Sequence, residues 1–470
     1  MTMKPNVILM LIDDMGWMDL SCQGSEFYET PNIDQLRSEG LAMDNAYAAC
    51  PVCSPSRASI LSGKYPARLK VTDWIDHDGY HPCRGKLIDA PYIKELPLSE
   101  VSLAQAFKEG GYQTRHVGKW HLGKEKTYPQ HHGFDVNIGG CWWGHPKKGY
   151  FSPYQMENLT DGPQGEYLTD RIGQEACRLI RQRDRQRPFF LNLWHYAVHT
   201  PLQAKPQDIA YFEEKAKRMG LDKINPFVEG ETFPIMQKKD KRVTRRIVQS
   251  DPVYAAMIKA LDDSVGELMR VLKEEQLDEQ TIVIFTSDNG GLATAEHSPT
   301  CNFPLSEGKG WMYEGAIREP LFVRWPGSIQ PNSLSHALMT SPDFYPTLLE
   351  LCGLPLRPQQ HCDGVSLAPV WLNPEADFDR GPIFWHYPHY GNQGGTPGSA
   401  LRYGKWKYIE FYEDHSAHLY DLQQDPSEKQ DLSADYPQQV QQFHQLLQQW
   451  LKEVDAWYPR ENPDAEADLA

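Results

Sequence analysis

Four absences narrow this chain before any motif is considered. No uninterrupted apolar run approaches the ~20 residues that cross a bilayer; the longest early one, Val7 to Ile12, is strand-sized. The nine cysteines, at 22, 50, 53, 83, 141, 177, 301, 352 and 362, are odd in number and scattered, with no paired Cys-x-x-Cys set for zinc. Cys50-Pro51-Val52-Cys53 has redox-motif spacing but no thioredoxin-like pattern around it. Reduced, mostly buried thiols are therefore expected. There is no excess of basic residues: 47 Lys and Arg face 63 Asp and Glu, a net charge of -16. That excludes an ordinary nucleic-acid binder and works against long-range attraction of anions, so an anionic ligand would need a local concentration of Arg, Lys and His. Finally, Met1 to Pro5 has neither the apolar segment nor the cleavage site of a secretory leader. The expectation is a cytoplasmic protein, or a periplasmic or secreted one if a leader was removed.

What is present alternates between helix and buried strand. The run 6–12 suits a strand covered on both faces and ends at Asp13-Asp14. Thr30 and Pro31 open a helix that Gly40 closes, and a second helix is expected over 99–110. A strand over 189–194 leads into His195 and His199. Residues 203–250 read as a charged excursion from the core, their basic cluster (Lys238, Lys239, Lys241, Arg242, Arg245, Arg246) as a solvated face. In 254–275, Ile258, Leu261, Val265, Leu268 and Leu272 form one buried helical stripe, with Asp262 and Asp263 off it in solvent. A buried strand over 281–286 follows and ends at Asp288-Asn289-Gly290-Gly291. This order predicts an α/β layer with a largely parallel sheet. Beyond about residue 375, short strands over 383–385, 406–409 and 419–422 and a helix over 437–454 predict a smaller α+β domain with an antiparallel sheet. The expected domains are thus 1–375 and 376–470, with a frayed acidic tail after Pro459.

Chemistry concentrates in four places. Asp13-Asp14 and Asp288-Asn289 each follow a strand, and ligand sites gather at the carboxyl ends of strands in open α/β sheets. Three carboxylates and an amide oxygen are hard donors, suited to Ca²⁺ or Mg²⁺ and poor for zinc. Cys53-Ser54-Pro55-Ser56-Arg57, running on to Gly63-Lys64, puts a cysteine at a helix start with Pro55 in the first turn. The free amides there favour an anion, and Arg57 adds a planar, permanent charge suited to a tetrahedral oxyanion. Alone, this is equally a buried cysteine before a helix. Gly118-Lys119-Trp120-His121-Leu122-Gly123 sets Lys119 and His121 on one face of an extended segment. His199, before Thr200-Pro201, and Lys309, in the glycine-rich stretch 308–315, are each as easily turn residues as ligands. Together Arg57, Lys119, His121, His199 and Lys309 supply the cationic cluster that the acidic net charge demands.

These strings, in this order, closely resemble the signatures of the type I sulfatases of the alkaline phosphatase superfamily: Cys-x-Pro-Ser-Arg followed by Leu-Ser-Gly-Lys, then Gly-Lys-Trp-His-Leu-Gly nearly letter for letter. The resemblance spans most of residues 5–350, with a weaker match at 419–426, and departs at Ala316, where the family commonly has glycine. It implies the alkaline-phosphatase-like fold, a large mostly parallel sheet flanked by helices. It implies hydrolysis of sulfate monoesters, with Cys53 oxidised to formylglycine by a maturation enzyme. It also implies Ca²⁺, alternatively Mg²⁺, held by Asp13, Asp14, Asp288 and Asn289 together with residue 53. Lys119 would bind the sulfate and the nucleophile's oxygen. In the implied cycle a hydroxyl of the hydrated aldehyde attacks sulfur in line. His199 or Lys309 protonates the departing alcohol, and His121 takes the proton of the second hydroxyl so that sulfate is expelled.

Substrate contacts are expected from Trp74, Trp143, His195, His386 and His389, with Trp142, His145 and Tyr387 in the same aromatic and histidine-rich segments; such rings stack on sugar faces. Similarity to N-acetylgalactosamine-6-sulfatase-like enzymes points to an exo-acting carbohydrate sulfatase. A sulfatase of small aryl or steroid esters is the alternative, and a phosphonate monoester or phosphodiester hydrolase of the same superfamily is a rival. A non-enzymatic anion-binding module would keep Cys53 unconverted.

Overall fold

A strand with no polar face has to be covered on both sides, and Asn6–Ile12 is: all seven of its residues are buried in the middle of an eight-stranded sheet. The computed structural model describes residues 4–466. Across the sheet the order is Ser333–Ser335, Leu41–Met43, Leu321–Arg324, Thr281–Ser287, Asn6–Ile12, Phe189–Trp194, Gln113–Gly118 and Val136–Ile138. Leu321–Arg324 is antiparallel to both its neighbours, while the other pairings are parallel. Two groups of helices flank the sheet, one built around Pro252–Glu274 and the other around Cys53–Ser62.

Four adjacent strands, from Thr281–Ser287 across to Gln113–Gly118, end together. Ile12 lies level with Ser287, and Leu11 and Gly118 each lie level with Trp194. Asp13, Asp288, Lys119 and His195 therefore leave the sheet at one edge, although Asp14 and Asp288 are 274 positions apart in the chain.

The long helix Pro252–Glu274 starts where Asp251 accepts from the amides of Val253 (2.9 Å) and Tyr254 (3.0 Å). Its stripe of Ile258, Leu261, Val265, Leu268 and Leu272 is buried as its periodicity predicts. Asp262 departs from expectation. It is 1% exposed and accepts from the amides of Asn32 (3.2 Å) and Ile33 (2.8 Å) and from the Asn32 side chain (2.7 Å), so it closes the open N-terminus of helix Pro31–Ser38. Asp262→Ala strands these donors and is expected to cost about 1–3 kcal/mol in urea unfolding. Burial pushes this carboxyl up to about 6 from 3.8. The folded chain then keeps a proton that the unfolded chain has released, so the stability contributed by Asp262 falls as pH rises through that window. The deficit of the variant narrows accordingly.

The second sheet is antiparallel, in the order Ile383–Tyr387, Gly398–Tyr403, Trp406–Phe411, Ala417–Asp421. Gly398–Tyr403 adds to the expected strands; its glycine, serine and arginine hide a segment buried at five of six positions. Helix Pro437–Glu453 covers one face, with Phe384 and Trp450 stacked at 4.7 Å. On the other, Trp385 packs edge-on to Tyr47 at 5.5 Å and donates to the Ala48 carbonyl at 2.8 Å. Val52 shares this apolar cluster, so the C-terminal sheet braces the segment that leads into Cys53.

Three further expectations are corrected. The expected helix 99–110 is Leu103–Glu109, capped by Ser102, whose hydroxyl accepts from the Gln105 amide at 3.0 Å. The 203–250 excursion is helix Pro206–Met219 and a hairpin of Phe227–Thr232 with Arg242–Arg246. Its basic cluster is only partly a solvated face: Arg245 is paired with Glu231 and Glu307, and Arg246 is 7% exposed. The tail is tied down where Arg460–Glu461 pairs with Leu87–Ile88; residues 467–470 lie outside those described.

Candidate active site

Helix Cys53–Ser62 begins at the cysteine, with extended Val52 before it and left-handed Gly63 after it, and all ten of its residues are buried. Ser54 fastens its first turn to the next strand edge, donating to the His121 carbonyl (2.9 Å) and accepting from the Ile75 amide (3.1 Å). Lys119 and His121 do not lie in a strand. Gln113–Gly118 ends before them, and His121 has a left-handed backbone (φ 55) that carries its ring to the cysteine. His121 Nδ1 stands 3.3 Å from Cys53 Sγ, and Nε2 is 2.9 Å from the Ile75 carbonyl. A carbonyl only accepts, so Nε2 carries the hydrogen and Nδ1 presents a lone pair to residue 53. Burial first, then Lys119, holds this imidazole well below the usual histidine range. It is a neutral base aimed at position 53.

Beneath the cysteine lie the carboxylates. Lys119 Nζ is 2.7 Å from Asp13 Oδ2, and Arg57 Nε is 2.7 Å from Asp288 Oδ2. Lys309 Nζ is 2.8 Å from Asp14 Oδ2 and 3.1 Å from His199 Nε2. The Asn289 amide donates to Asp14 Oδ1 at 2.8 Å and to the Gly290 carbonyl at 3.0 Å. That leaves Asn289 Oδ1 and Asp13 Oδ1 buried without a hydrogen-bond partner, a state that costs free energy unless something else meets those oxygens. Asp13, Asp288 and Cys53 each bring one ligand atom within 4.8 Å of one another, as do Asp13, Asp14 and His199. Burial drives the Asp13 carboxyl well above its usual range. These are the marks of a hard-cation site: oxygen donors, two of them orphaned, in a place too crowded with carboxylates to be dry and empty of charge. Three carboxylates are balanced by Arg57, Lys119 and Lys309, so a divalent ion here turns the pocket positive within an acidic molecule.

Residues 5–354 match the Sulfatase family model, and 307–456 match the C-terminal region of N-sulphoglucosamine sulphohydrolase. This chain belongs to the sulfatase family. It is 32% identical to human N-acetylgalactosamine-6-sulfatase over 407 residues, covering 81% of this chain and 68% of that protein. It is 30% identical over 531 residues to a sulfatase of Formosa agariphila (98% and 89% covered) and 31% identical over 482 residues to human arylsulfatase A (91% and 83%). Among solved structures it matches Ps i-CgsB in complex with k-i-k-neocarrahexaose, with a TM-score of 0.76, 26% identity and coverage of 99% and 96%. The fold also matches a phosphonate monoester hydrolase of Agrobacterium radiobacter, with a TM-score of 0.65, 21% identity and coverage of 96% of each chain. The protein is a sulfuric ester hydrolase on the alkaline-phosphatase-like fold, in a family that generally uses formylglycine and a divalent cation.

In this sulfatase the five basic residues of the cluster fall into two layers. Cys53, His121, His199 and Lys309 line a cavity of about 270 Å³. Arg57 and Lys119 do not line it. Arg57 is fully buried behind it, over the Trp194 ring at 5.2 Å, with Nε donating to Asp288 at 2.7 Å and Nη1 to the Lys119 carbonyl at 3.1 Å. Trp74 and Trp142 form the walls, and His145 stacks on His199 at 5.9 Å. The other expected substrate contacts lie elsewhere. Trp143 is core. His195 is fully buried with Nε2 3.5 Å from Ser264, in the layer between sheet and helix. His386 sits within strand Ile383–Tyr387, bonded to Ser399 and the Trp457 carbonyl. His389 lies behind Trp74, its Nε2 2.8 Å from Thr72 Oγ1, in a buried cluster with Asp73, His81 and Asp89. There His81 bridges Asp73 and Asp89 (3.2 Å to each) and packs against the Trp74 ring at 4.8 Å. This cluster steadies the wall from outside the cavity.

Several cavity residues carry no strong signal in sequence: His77, Tyr80, Lys147, Glu296, Asn392 and Gln393. The glycines around Asn392 are a hint of a turn and no more. Gly144 is another, since a Cβ there would stand 2.6 Å from His121 Cε1. Gly144→Ala should displace the base and lower kcat by roughly 10²-fold with little change in folding, measured by steady-state kinetics and thermal unfolding.

Proposed function

We propose that this sulfatase removes sulfate from carbohydrates, using formylglycine made from Cys53 by a maturation enzyme, with Ca²⁺ held by Asp13, Asp14, Asp288 and Asn289. The observation that carries this reading is the convergence on Cys53 of a fixed-tautomer base, His121, and a cation, Lys309, held against a neutral His199, above a carboxyl and an amide oxygen that lack hydrogen-bond partners. Oxygen-only donors favour Ca²⁺ over zinc, with Mg²⁺ as the alternative that metal reconstitution separates. The ion contributes Lewis-acid polarisation of the sulfate oxygens. The hydrated aldehyde contributes the attacking oxygen and a second hydroxyl through which sulfate leaves.

The chain's own residues do the rest. His121 Nδ1 receives the proton from residue 53, as its Nε2–H is committed to the Ile75 carbonyl. Of the three hydrogens on Lys309, Asp14 and His199 engage two, leaving one directed to a bound ester. His199 Nδ1 is held by the Thr200 carbonyl at 2.9 Å, which keeps Nε2 turned to Lys309 and the departing oxygen. Lys119 and Arg57 hold the carboxylates in place and offset their charge.

The sugar assignment is supported by the walls: two indoles for apolar ring faces, with Glu296, Asn392, Gln393 and His145 for hydroxyls. It is also supported by the kinship to an N-acetylgalactosamine-6-sulfatase. Turnover of sulfated monosaccharides and oligosaccharides, compared with an aryl sulfate and with phosphate and phosphonate esters of matched leaving groups, tests it. Activity on the aryl ester alone would overturn the sugar assignment, and a preference for the phosphorus esters would overturn the reading as a sulfatase.

A further inference from the structure

Behind Trp74, outside the catalytic cavity, three buried ligand atoms face one another with nothing to bond. The side chains of Asp73 and His389 are fully buried and that of His81 is 3% exposed. Asp73 Oδ2 stands 3.2 Å from His81 Nε2 and 3.7 Å from His389 Nδ1, yet none of the three atoms has a hydrogen-bond partner among the described residues. Three such groups left unmet in the interior cost free energy. A protonated His81 would aim its N–H at the Asp73 oxygen, and at this contact it does not. The spacing is instead that of atoms around a common centre: ligands about 2.1 Å from one zinc ion at tetrahedral angles stand roughly 3.4 Å apart. We propose that Asp73, His81 and His389 bind a Zn²⁺-class ion, at a second metal site separate from the oxygen site beneath Cys53.

The rest of each ligand is already committed. Asp73 Oδ1 accepts from the Trp74 amide (2.8 Å) and the Tyr387 hydroxyl (3.0 Å). His81 Nδ1 lies 3.2 Å from Asp89 Oδ2; an ionised carboxylate only accepts, so Nδ1 carries the hydrogen and Nε2 keeps its lone pair. Thr72 Oγ1, 2.8 Å from His389 Nε2, takes that nitrogen's hydrogen and leaves Nδ1 free. Asp89 is itself fixed by the amides of Cys83 (2.7 Å) and Tyr390 (2.8 Å). An outer ring of this kind is what orients metal-binding histidines. Two imidazoles and one carboxylate select zinc over Ca²⁺ or Mg²⁺. The fourth place falls to a water or to Asp89, which has a ligand atom within 4.8 Å of those of Asp73 and His389.

The position in the fold says what such an ion would do. Trp74, Ile75, Asp76, His77, Asp78 and Tyr80 all line the catalytic cavity, and all lie between Asp73 and His81 in the chain. The Ile75 carbonyl is the acceptor that fixes the tautomer of His121. His389 follows strand Ile383–Tyr387 of the antiparallel sheet. One ion on these three side chains closes the wall segment into a short loop and ties it to the second sheet. It acts on the cavity by holding its wall and takes no part in the reaction.

The test uses the full chain carrying Cys53→Ala, which removes the thiol beside Asp13 and Asp288, in excess Ca²⁺ to fill the oxygen site. Zn²⁺ is titrated, the metal retained through gel filtration is measured, and thermal unfolding is followed; Co²⁺ is the spectroscopic probe. The expected result is one Zn²⁺ retained per chain that Ca²⁺ does not displace, with a higher Tm. Co²⁺ should show the intense visible absorption of a four-coordinate site. His81→Gln and His389→Gln should each weaken Zn²⁺ binding by at least the ~10–100-fold that loss of an outer-ring partner alone costs, while keeping the response to Ca²⁺. No retained Zn²⁺, Zn²⁺ that Ca²⁺ displaces, a six-coordinate Co²⁺ spectrum, or variants that bind Zn²⁺ as the parent does would overturn the site. The first three outcomes are read on the parent alone, so a variant that fails to fold leaves the test decisive.

Discussion

Cys53→Ala should retain the fold and lose turnover by at least about 10⁴-fold, the scale on which removing a nucleophile acts. The fold is safe because the thiol contributes little to it. Burial raises its pKa, so it is a neutral, weakly bonding group whose polar contact is His121 Nδ1 at 3.3 Å. The helix it begins is held elsewhere, by Ser54 on the His121 carbonyl, by Ser56 on the Cys50 carbonyl and by the Arg57–Asp288 pair. The chemistry is not safe, because no other nucleophile on the helix faces the cavity. Cys53→Ser sharpens the test. A serine offers one hydroxyl, so it is expected to stall after a single turnover, having no second hydroxyl through which to release sulfate. Steady-state kinetics beside thermal unfolding measures both variants. Multiple turnovers by Cys53→Ala would refute the nucleophile assignment.

Asp13→Asn should be nearly as damaging, for two separable reasons. It removes a ligand with an orphaned oxygen from the cation site, and it leaves Lys119, fully buried, 2.7 Å from a neutral amide in place of a carboxylate. Breaking a buried pair on one side costs about 3–5 kcal/mol, so the variant should unfold well below the parent as well as lose at least ~10³-fold in activity. Metal removal separates the two. Chelation of the parent chain should abolish activity and cost only the stability that ligand binding supplied, about 2.7 kcal/mol at a hundred-fold excess over Kd. Ca²⁺ should restore both and Mg²⁺ less of each. In Asp13→Asn, added Ca²⁺ should restore neither. Full activity after exhaustive chelation would refute the cation site.

Much of the fold and the site is legible in the chain alone, and the reason is local. A covered strand has to be largely apolar, so 6–12 and 281–286 announce themselves, the second running one residue further in the structure. Ligands at strand ends follow the last apolar residue, so Asp13-Asp14 and Asp288-Asn289 are found by counting. The Cys53 and Lys119 strings are contiguous and chemically demanding. Where reading by type falters, the missing information is partner and direction. Histidine is as common a core residue as a ligand, so His195, His386 and His389 are not separable from His145 without knowing that a helix, a strand and a buried cluster already hold them. Asp262 resembles a solvated residue until helix Pro31–Ser38 is placed against it. The hairpin 227–246 looks like an excursion because its packing partner, the 296–298 turn, comes fifty residues later.

The two hard-donor pairs and the α/β layer order are legible in the sequence itself, because each depends on residue type at short spacing, while Cys53 is singled out as a nucleophile through the family resemblance of the string it opens. Tertiary structure decided which cations line the cavity and which lie buried behind it, and which histidines face the cavity. Those depend on which strand lies beside which and on where a side chain is aimed. Residues far apart in the chain share that edge of the sheet only because parallel pairing carries each strand's carboxyl end to the same side.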